Sequence, residues 1–388
     1  MSESEKFIPL SIPNFCGNEK KYINEALDGA WVSTSGARVN DFEKVIADYV
    51  GMPASVACSS GTSALHLSAI VCGIQRGDEV IVPAVSFIAS VNPTTRYMGA
   101  EPVFIGCDET ATLDPDAVRL FCSENCEMRG GYLYNKKTGA HVSAMVVVHT
   151  FGNMADMERL MPIAKEYNLI VIEDACEALG TKYTDGVYAG KFAGTIGDIG
   201  TFSYNGNKII TTGTGGSIVS NHEEWTTRAK HLSTQAKTDL VRFYHDEVGY
   251  NYRMTNIDAC LGIAQMELLE GFIDHKTMLY EHYCKALKGV KGFDLLPFRE
   301  GTRSNHWFFS LVLPDRLDRD DCMARLSERK IQTRPIWGLL NEQCDYSRNE
   351  TFGMDTAREL AKKVLNIPCS TNVTIEDADR VIEEIVAL

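Results

Sequence analysis

Two common metal and thiol signatures are missing from this 388-residue sequence: it contains no CxxC and no HExxH. Its 12 cysteines are scattered, and the nearest two, Cys122 and Cys126, are not matched by a second close pair. Such spacing offers neither a zinc site nor a disulfide framework. The thiols read as small apolar residues of a reduced protein, and no metal is expected. A basic surplus is also missing: 52 acidic against 38 basic residues give a net charge of -14. That balance speaks against non-specific binding to nucleic acid or to an anionic membrane, so an anionic ligand needs a locally basic site. No apolar run reaches membrane-spanning length, and the opening MSESEKF has neither the charge nor the hydrophobicity of a signal segment. A cytoplasmic location is expected.

Low-complexity tracts and internal repeats are lacking too. At 388 residues the chain exceeds what one core usually holds. Residues 1–255 are expected to form an N-terminal segment and a large domain, and 256–388 a linker helix and a smaller C-terminal domain.

Strand and helix patterns alternate along the first part. Helices are expected at 18–27 and 41–49, separated by a Trp31-Val-Ser33 loop that could line a pocket. A strand, a tight turn of small residues and a helix follow in Ser-Val-Ala-Cys-Ser-Ser-Gly61-Thr62-Ser-Ala-Leu65. Strands are then expected at 79–83, 102–105 and 144–148, with helices at 90–97, from 114, and at 157–167. Residues 132–141 read as a hairpin turning at 136–139. Strands spaced by helices of this length pair in parallel with right-handed crossovers, so the fold class is α/β. Beyond 220 come a helix at 223–235, a long helix from 257 running on toward 287, strands at 307–313 and 332–336, and a final helix. Thr374 and Asp377 form a capping box for that last helix, and Ile375, Ala378, Ile382 and Ile385 share its apolar face.

The stretch 169–220 carries the chemistry. LIVIEDACEALG is an apolar run without charge until Glu173 and Asp174, the pattern of a buried parallel strand whose carboxyl end faces a ligand. Further on, GDIGTFSYNGNKIITTGTGG delivers Lys208 after a short strand and just before two isoleucines. An amine held among apolar residues is a potential nucleophile. An acid at a strand end and a lysine in a tight loop are the two groups a pyridoxal phosphate enzyme needs: the lysine forms the Schiff base, and the carboxylate keeps the pyridine nitrogen protonated. The Ser-Ser-Gly61-Thr62 turn adds backbone N–H groups at a helix N-terminus, where a phosphate binds.

The four segments SSGTSAL, VIEDACEALG, GDIGTFSYNGNKIITTGTGG and GYNYRMTNIDACLGIAQ resemble the hallmarks of the DegT/StrS-like sugar-nucleotide aminotransferases, pyridoxal phosphate enzymes of fold type I. The resemblance spans nearly the whole chain. It implies that Lys208 is the Schiff-base and proton-transfer residue, that Asp174 pairs with the pyridinium, and that Phe87 stacks on the cofactor ring. Glu177 falls where relatives often place Gln or His near the cofactor's phenolic oxygen, which an acid would repel unless protonated. Gly61, Thr62 and Ser203 are implied to bind the phosphate, together with Asn251 from the neighbouring subunit of a homodimer. Lysine rather than histidine at 208 implies transamination rather than dehydration, with L-glutamate as amino donor.

Within the family, Gly17-Asn-Glu19, Trp31-Val-Ser33, the 133–139 insertion and Arg303-Ser304-Asn305-His-Trp307 are similar to the branch acting on UDP-linked 4-keto-6-deoxy-N-acetylhexosamines, which feeds bacillosamine and legionaminic acid synthesis. Trp31, Ser33, Arg303, Ser304, Asn305 and Arg334 are the implied substrate contacts, while Trp307 reads as a core residue of a strand and Arg253 as half of a structural ion pair. Open alternatives are another keto sugar carried on dTDP or GDP and aminated at C3 or C4, a pyridoxal phosphate lyase or cysteine desulfurase, and a non-catalytic fold type I scaffold.

Overall fold

A computed structural model of the chain describes residues 6–239 and 241–388. Its main sheet is built from β1 (Ser55–Cys58), β2 (Glu79–Pro83), β3 (Glu101–Ile105), β4 (Val142–Val148), β5 (Ile170–Asp174), β6 (Ile199–Ser203) and β7 (Gly216–Ser220). A smaller sheet uses β8 (Asp294–Leu295), β9 (Phe309–Val312), β10 (Arg334–Pro335) and β12 (Val364–Ile367), while β11 (Thr351–Phe352) returns to the edge of the main one. The strand orders are β1-β7-β6-β5-β4-β2-β3-β11 and β8-β9-β12-β10.

From β11 across to β6 every pairing is parallel, and only β7 and β1 run antiparallel to their neighbours. This is the mixed, mostly parallel sheet flanked by helices of fold type I. The sequence dictates it simply. Every residue of β2 and β4 is buried, because Val-, Ile- and Ala-rich runs without alternation are covered on both faces. Parallel strands point their carboxyl ends to one side, and β5 therefore presents Asp174 at the sheet's ligand-facing rim.

The N-terminal chain ties across to the smaller sheet: Ile8 bridges Ile331, and Cys369 N–H donates to Leu10 O at 2.9 Å. Thr374 does cap the last helix, Ile375–Val386, in a capping box with Asp377.

Three expected elements differ. Residues 90–97 do not form a helix but two 3₁₀ turns, Ile88–Ser90 and Arg96–Met98, in which Thr94 and Thr95 hydroxyls bond back to the carbonyls of Ser90 and Val91. Such local side-chain bonds compete with a regular helix. The hairpin pairs Cys126–Arg129 with Tyr132–Asn135 and turns at Gly130 and Gly131, both at positive φ; 136–139 makes a second turn, bridging Tyr134 to His141. The long helix after 257 is two, Asn256–Met266 and Leu269–Leu287. Among the described residues no helix is long and apolar enough to cross a membrane.

Candidate active site

Lys208 lies in the connection from β6 to β7. That loop is pinned at Tyr204, whose N–H donates to Gly215 O and whose carbonyl receives Thr212 N–H, each at 2.9 Å. The lysine's own N–H is spent on Asn205 O. Its side chain is left to reach a cavity of about 640 Å³ where the two sheets meet, which Asp174, Glu177, Ser203 and Arg334 also line.

The amine is held between two groups. Lys208 Nζ stands 3.7 Å from Glu177 Oε1 and 3.9 Å above the centre of the Trp307 indole. The indole is fixed in turn by its Nε1–H, which donates to Asn207 O at 2.6 Å. Glu177 is buried, and its other oxygen accepts the N–H of Phe151 at 2.7 Å. Phe151 reaches this place through a left-handed backbone, φ 59°, and stacks on Trp337. Burial pushes the Glu177 carboxyl up to about 7, against the lowering pull of the Lys208 amine and the Phe151 N–H.

Asp174 is set as an acceptor. Ser90 Oγ donates to its Oδ2 at 2.6 Å, and the N–H of Cys176 donates to Oδ1 at 3.1 Å. Across the cavity the helix Gly61–Val71 begins with a capping box in which the Ser60 and Ser63 side chains bond each other's backbone N–H. The first-turn N–H groups at Gly61 and Thr62 have no acceptor inside the helix and face the cavity with the helix dipole behind them. Gly61 cannot carry a side chain here: a Cβ would lie 2.8 Å from Ser203 Cβ and 2.9 Å from Cys176 Sγ. Carboxylate, amine and anion cradle thus open on one space, the donor set that pyridoxal phosphate requires.

The chain belongs to the DegT/DnrJ/EryC1/StrS aminotransferase family, which it matches over residues 14–386. It is 36% identical to EpsN of Bacillus subtilis over 99% of this chain and 96% of that protein. It is 34% identical to the GDP-perosamine synthase of Escherichia coli O157:H7, covering 98% of each. The solved aminotransferase TlmJ of Streptoalloteichus hindustanus superposes with a TM-score of 0.87 at 25% identity, covering 98% of both chains. The family is one of pyridoxal phosphate-dependent enzymes acting on sugars carried on nucleotides, and this aminotransferase is one of them.

Of the residues expected in the site, the fold brings Lys208, Asp174, Glu177, Phe87, Gly61, Thr62, Ser203 and Arg334 to the one cavity. It does not bring Trp31, Ser33 or Asn251 there. Trp31 and Ser33 are exposed, with their carbonyls held by Asn256; Asn251 is exposed and receives Arg253 Nε–H. Arg253 therefore bonds an amide, not the carboxylate expected of it.

The expected substrate grip by Arg303, Ser304 and Asn305 needs correction. Arg303 is occupied by Glu270 and the carbonyl of Gly180. Ser304 Oγ donates to Gly152 O, and Asn305 spends its amide on the carbonyls of Glu177 and Leu179 and on Trp307 N–H. Both are buried, so they tie the Glu177 turn to the Trp307 segment instead of facing substrate.

Trp307 lies just before β9, buried in the core as expected, and it is also a wall of the cavity. Trp337 lines it with Arg334, in the Thr-Arg-Pro-Ile-Trp segment that the resemblance places near the active site, whereas Ser90, Gln332 and Asn366 also line it and had no motif to reveal them. Cys176 lines it too, but burial and the Asp174 charge push its thiol well above the ordinary range, so it is no thiolate nucleophile of the desulfurase kind.

Proposed function

We propose that the enzyme moves the amino group of L-glutamate to C4 of a nucleotide-linked 4-keto-6-deoxy sugar in a ping-pong reaction, releasing 2-oxoglutarate and a nucleotide-linked 4-amino sugar. The reading rests on Lys208, whose amine meets Asp174, Glu177 and the Gly61–Thr62 cradle in a single cavity. Pyridoxal phosphate, when bound, supplies the electron sink for exchanging an amine and a carbonyl. The chain's own residues do the rest. Gly61, Thr62 and Ser203 hold the phosphate, and Asp174 keeps a proton on the ring nitrogen. Phe87 covers the ring face. Lys208 takes the proton from the carbon that bears the donor's amine and returns it on the other side of the exchange. Glu177 receives the Lys208 ammonium between these steps.

A UDP-linked 4-keto-6-deoxy-N-acetylhexosamine is the acceptor favoured by the Trp31-Val-Ser33 and 133–139 segments, leading to bacillosamine- or legionaminic acid-type glycans. A GDP-linked acceptor is the second reading, favoured by the names of relatives such as the E. coli GDP-perosamine synthase. The protein works as a homodimer in the cytoplasm, each subunit lending Asn251 to the other's phosphate site. Support comes from Asn251 lying exposed outside its own cavity, on a segment that also exposes Val241, Phe243, Tyr244 and Val248.

The test is the visible spectrum of the holoenzyme and of Lys208→Ala, before and after glutamate, followed by UDP- and GDP-linked keto sugars. The wild type is expected to lose its visible band with glutamate and regain it with one of the two sugars, while Lys208→Ala does neither. A wild type that stays colourless with added pyridoxal phosphate refutes the reading. One that responds to glutamate and is restored by neither sugar refutes the acceptor.

A further inference from the structure

We infer that His66 is a positioning residue: through the Tyr252 hydroxyl it braces the segment 250–253 and so sets the direction of Asn251 toward the neighbouring subunit's phosphate site. The inference rests on the homodimer reading above, in which each subunit lends Asn251 to the other, and it names what holds that residue in place.

The segment is strand-like: Asn251 bridges Thr234 and Arg253 bridges Cys58, both antiparallel. Alternation along an extended chain sorts its side chains. Tyr250 and Tyr252 share one side and stack on each other with ring centres 5.0 Å apart, while Asn251 between them is exposed. The two tyrosines close on the buried imidazole of His66, at 5.1 Å and 5.9 Å between ring centres, and Tyr97 meets it edge-on at 5.4 Å. Inside this cage Tyr252 Oη and His66 Nδ1 are 3.2 Å apart. Burial holds His66 below the ordinary imidazole range, so at neutral pH the ring is uncharged and has a nitrogen to accept the phenol O–H.

Backbone bonds hold the segment along its edges. Tyr250 N–H donates to Leu232 O at 2.7 Å, Tyr252 N–H to Ser233 O at 3.1 Å, and Ser59 N–H to Tyr252 O at 2.7 Å. A single strand held this way can still roll about its own axis. The inward tyrosines fix that roll, and the outward residue between them takes its direction from it. Packing alone would not need the phenol oxygen, since phenylalanine at 252 would stack as well; the bond to His66 adds the direction that stacking lacks.

The brace stands on the anion cradle itself. His66 belongs to the helix Gly61–Val71, one turn along the same face from Thr62, whose N–H lies in the first turn. Ser59, which holds the Tyr252 carbonyl, directly precedes the Ser60 cap. One helix thus cradles a phosphate at its start and steadies, a turn later, the arm offered to the other subunit. Asn251 is prepared for that acceptor: its Oδ1 accepts Arg253 Nε–H at 3.1 Å, so the N–H pair is what the side chain offers a phosphate.

The experiment uses full-chain hybrid dimers in which one subunit carries Lys208→Ala, so that borohydride fixes pyridoxal phosphate on one Lys208 per dimer. Mass spectrometry of the peptide bearing Lys208 gives that site's occupancy against cofactor concentration. Placed in the Lys208→Ala subunit, Tyr252→Phe is expected to raise the half-saturating concentration at the opposite site about fivefold, the loss of one hydrogen bond, and Asn251→Ala at least about tenfold. His66→Leu should reproduce the Tyr252→Phe loss, and His66→Asn, which keeps a polar atom where Nδ1 stands, should recover most of it. Placed in the Lys208 subunit, Tyr252→Phe should change that subunit's own site by less than about twofold. No loss with Tyr252→Phe across the dimer, or a loss as large within the same subunit, overturns the positioning role while the effect of Asn251→Ala stands. If Asn251→Ala has no effect across the dimer, the lending of Asn251 has failed and this inference with it. Tyr252→Phe keeps the stacked ring and decides the matter should thermal melting show that His66→Leu does not fold.

Discussion

Glu177 and Lys208 are paired inside the cavity, Oε1 to Nζ at 3.7 Å, and the acid is one that burial has lifted to about 7. Below that pH the carboxyl is neutral; above it a negative charge stands beside the amine. The charge appears on the alkaline side and there holds Lys208 in an ion pair, away from cofactor capture. Glu177→Gln keeps an acceptor for Phe151 N–H and removes the titration. The rate of pyridoxal phosphate uptake by apo-protein, measured across pH, is expected to be similar in the two proteins well below 7. The variant should become severalfold faster as pH rises past it. Parallel profiles would contradict the pairing.

Gly61→Ala tests the anion cradle. Its methyl group would meet Ser203 and Cys176 at under 3 Å, with an overpacking cost of about 1–3 kcal/mol falling on the phosphate end of the cavity. Pyridoxal phosphate affinity, read from fluorescence quenching, should drop at least about tenfold. The rise in melting temperature that the cofactor gives should shrink with it. Undiminished affinity would place the phosphate elsewhere.

Ser90→Ala removes the hydroxyl that donates to Asp174 Oδ2 and leaves the Cys176 N–H in place. The donor half-reaction should slow by about fivefold, the worth of one hydrogen bond of about 1 kcal/mol. Asp174→Asn, which loses the charge itself, should slow it by roughly a hundredfold or more. Stopped-flow spectra with glutamate give both values, and the reverse order would remove Asp174 from its role.

Asn305→Ala distinguishes a positioning residue from a substrate contact. The change strands the carbonyls of Glu177 and Leu179 and the N–H of Trp307, which calls for a loss of about 2–4 kcal/mol in thermal unfolding. The KM for the sugar nucleotide should change little at temperatures where the variant is folded. A raised KM with an unchanged melting temperature would restore Asn305 to the substrate site.

What the sequence made legible followed from short-range chemistry. Asp174 closes an apolar strand, Lys208 sits between strand-like runs, and Ser60, Gly61 and Thr62 start a helix; each is defined by its immediate neighbours. Residues brought in by tertiary packing carried no such mark. Ser90 was hidden in an expected helix that two threonines unwind. Trp307 is buried in the core, as its apolar neighbours suggest, but nothing beside it in the chain marks its second role as a wall of the cavity. Arg303, Ser304 and Asn305 form a polar cluster that reads as a ligand grip until the carbonyls they satisfy are seen. Arg334 and Asn366 lie far apart in the chain and become neighbours only through the β10–β12 register.

The Tyr204-pinned loop has an evolutionary consequence. Because the loop is braced through backbone bonds and the buried Tyr204 ring, residue 208 contributes its side chain to chemistry and almost nothing to architecture. The position is an interchangeable socket: a different side chain can be mounted there, and a different reaction tried, while the scaffold that presents it stays as it is.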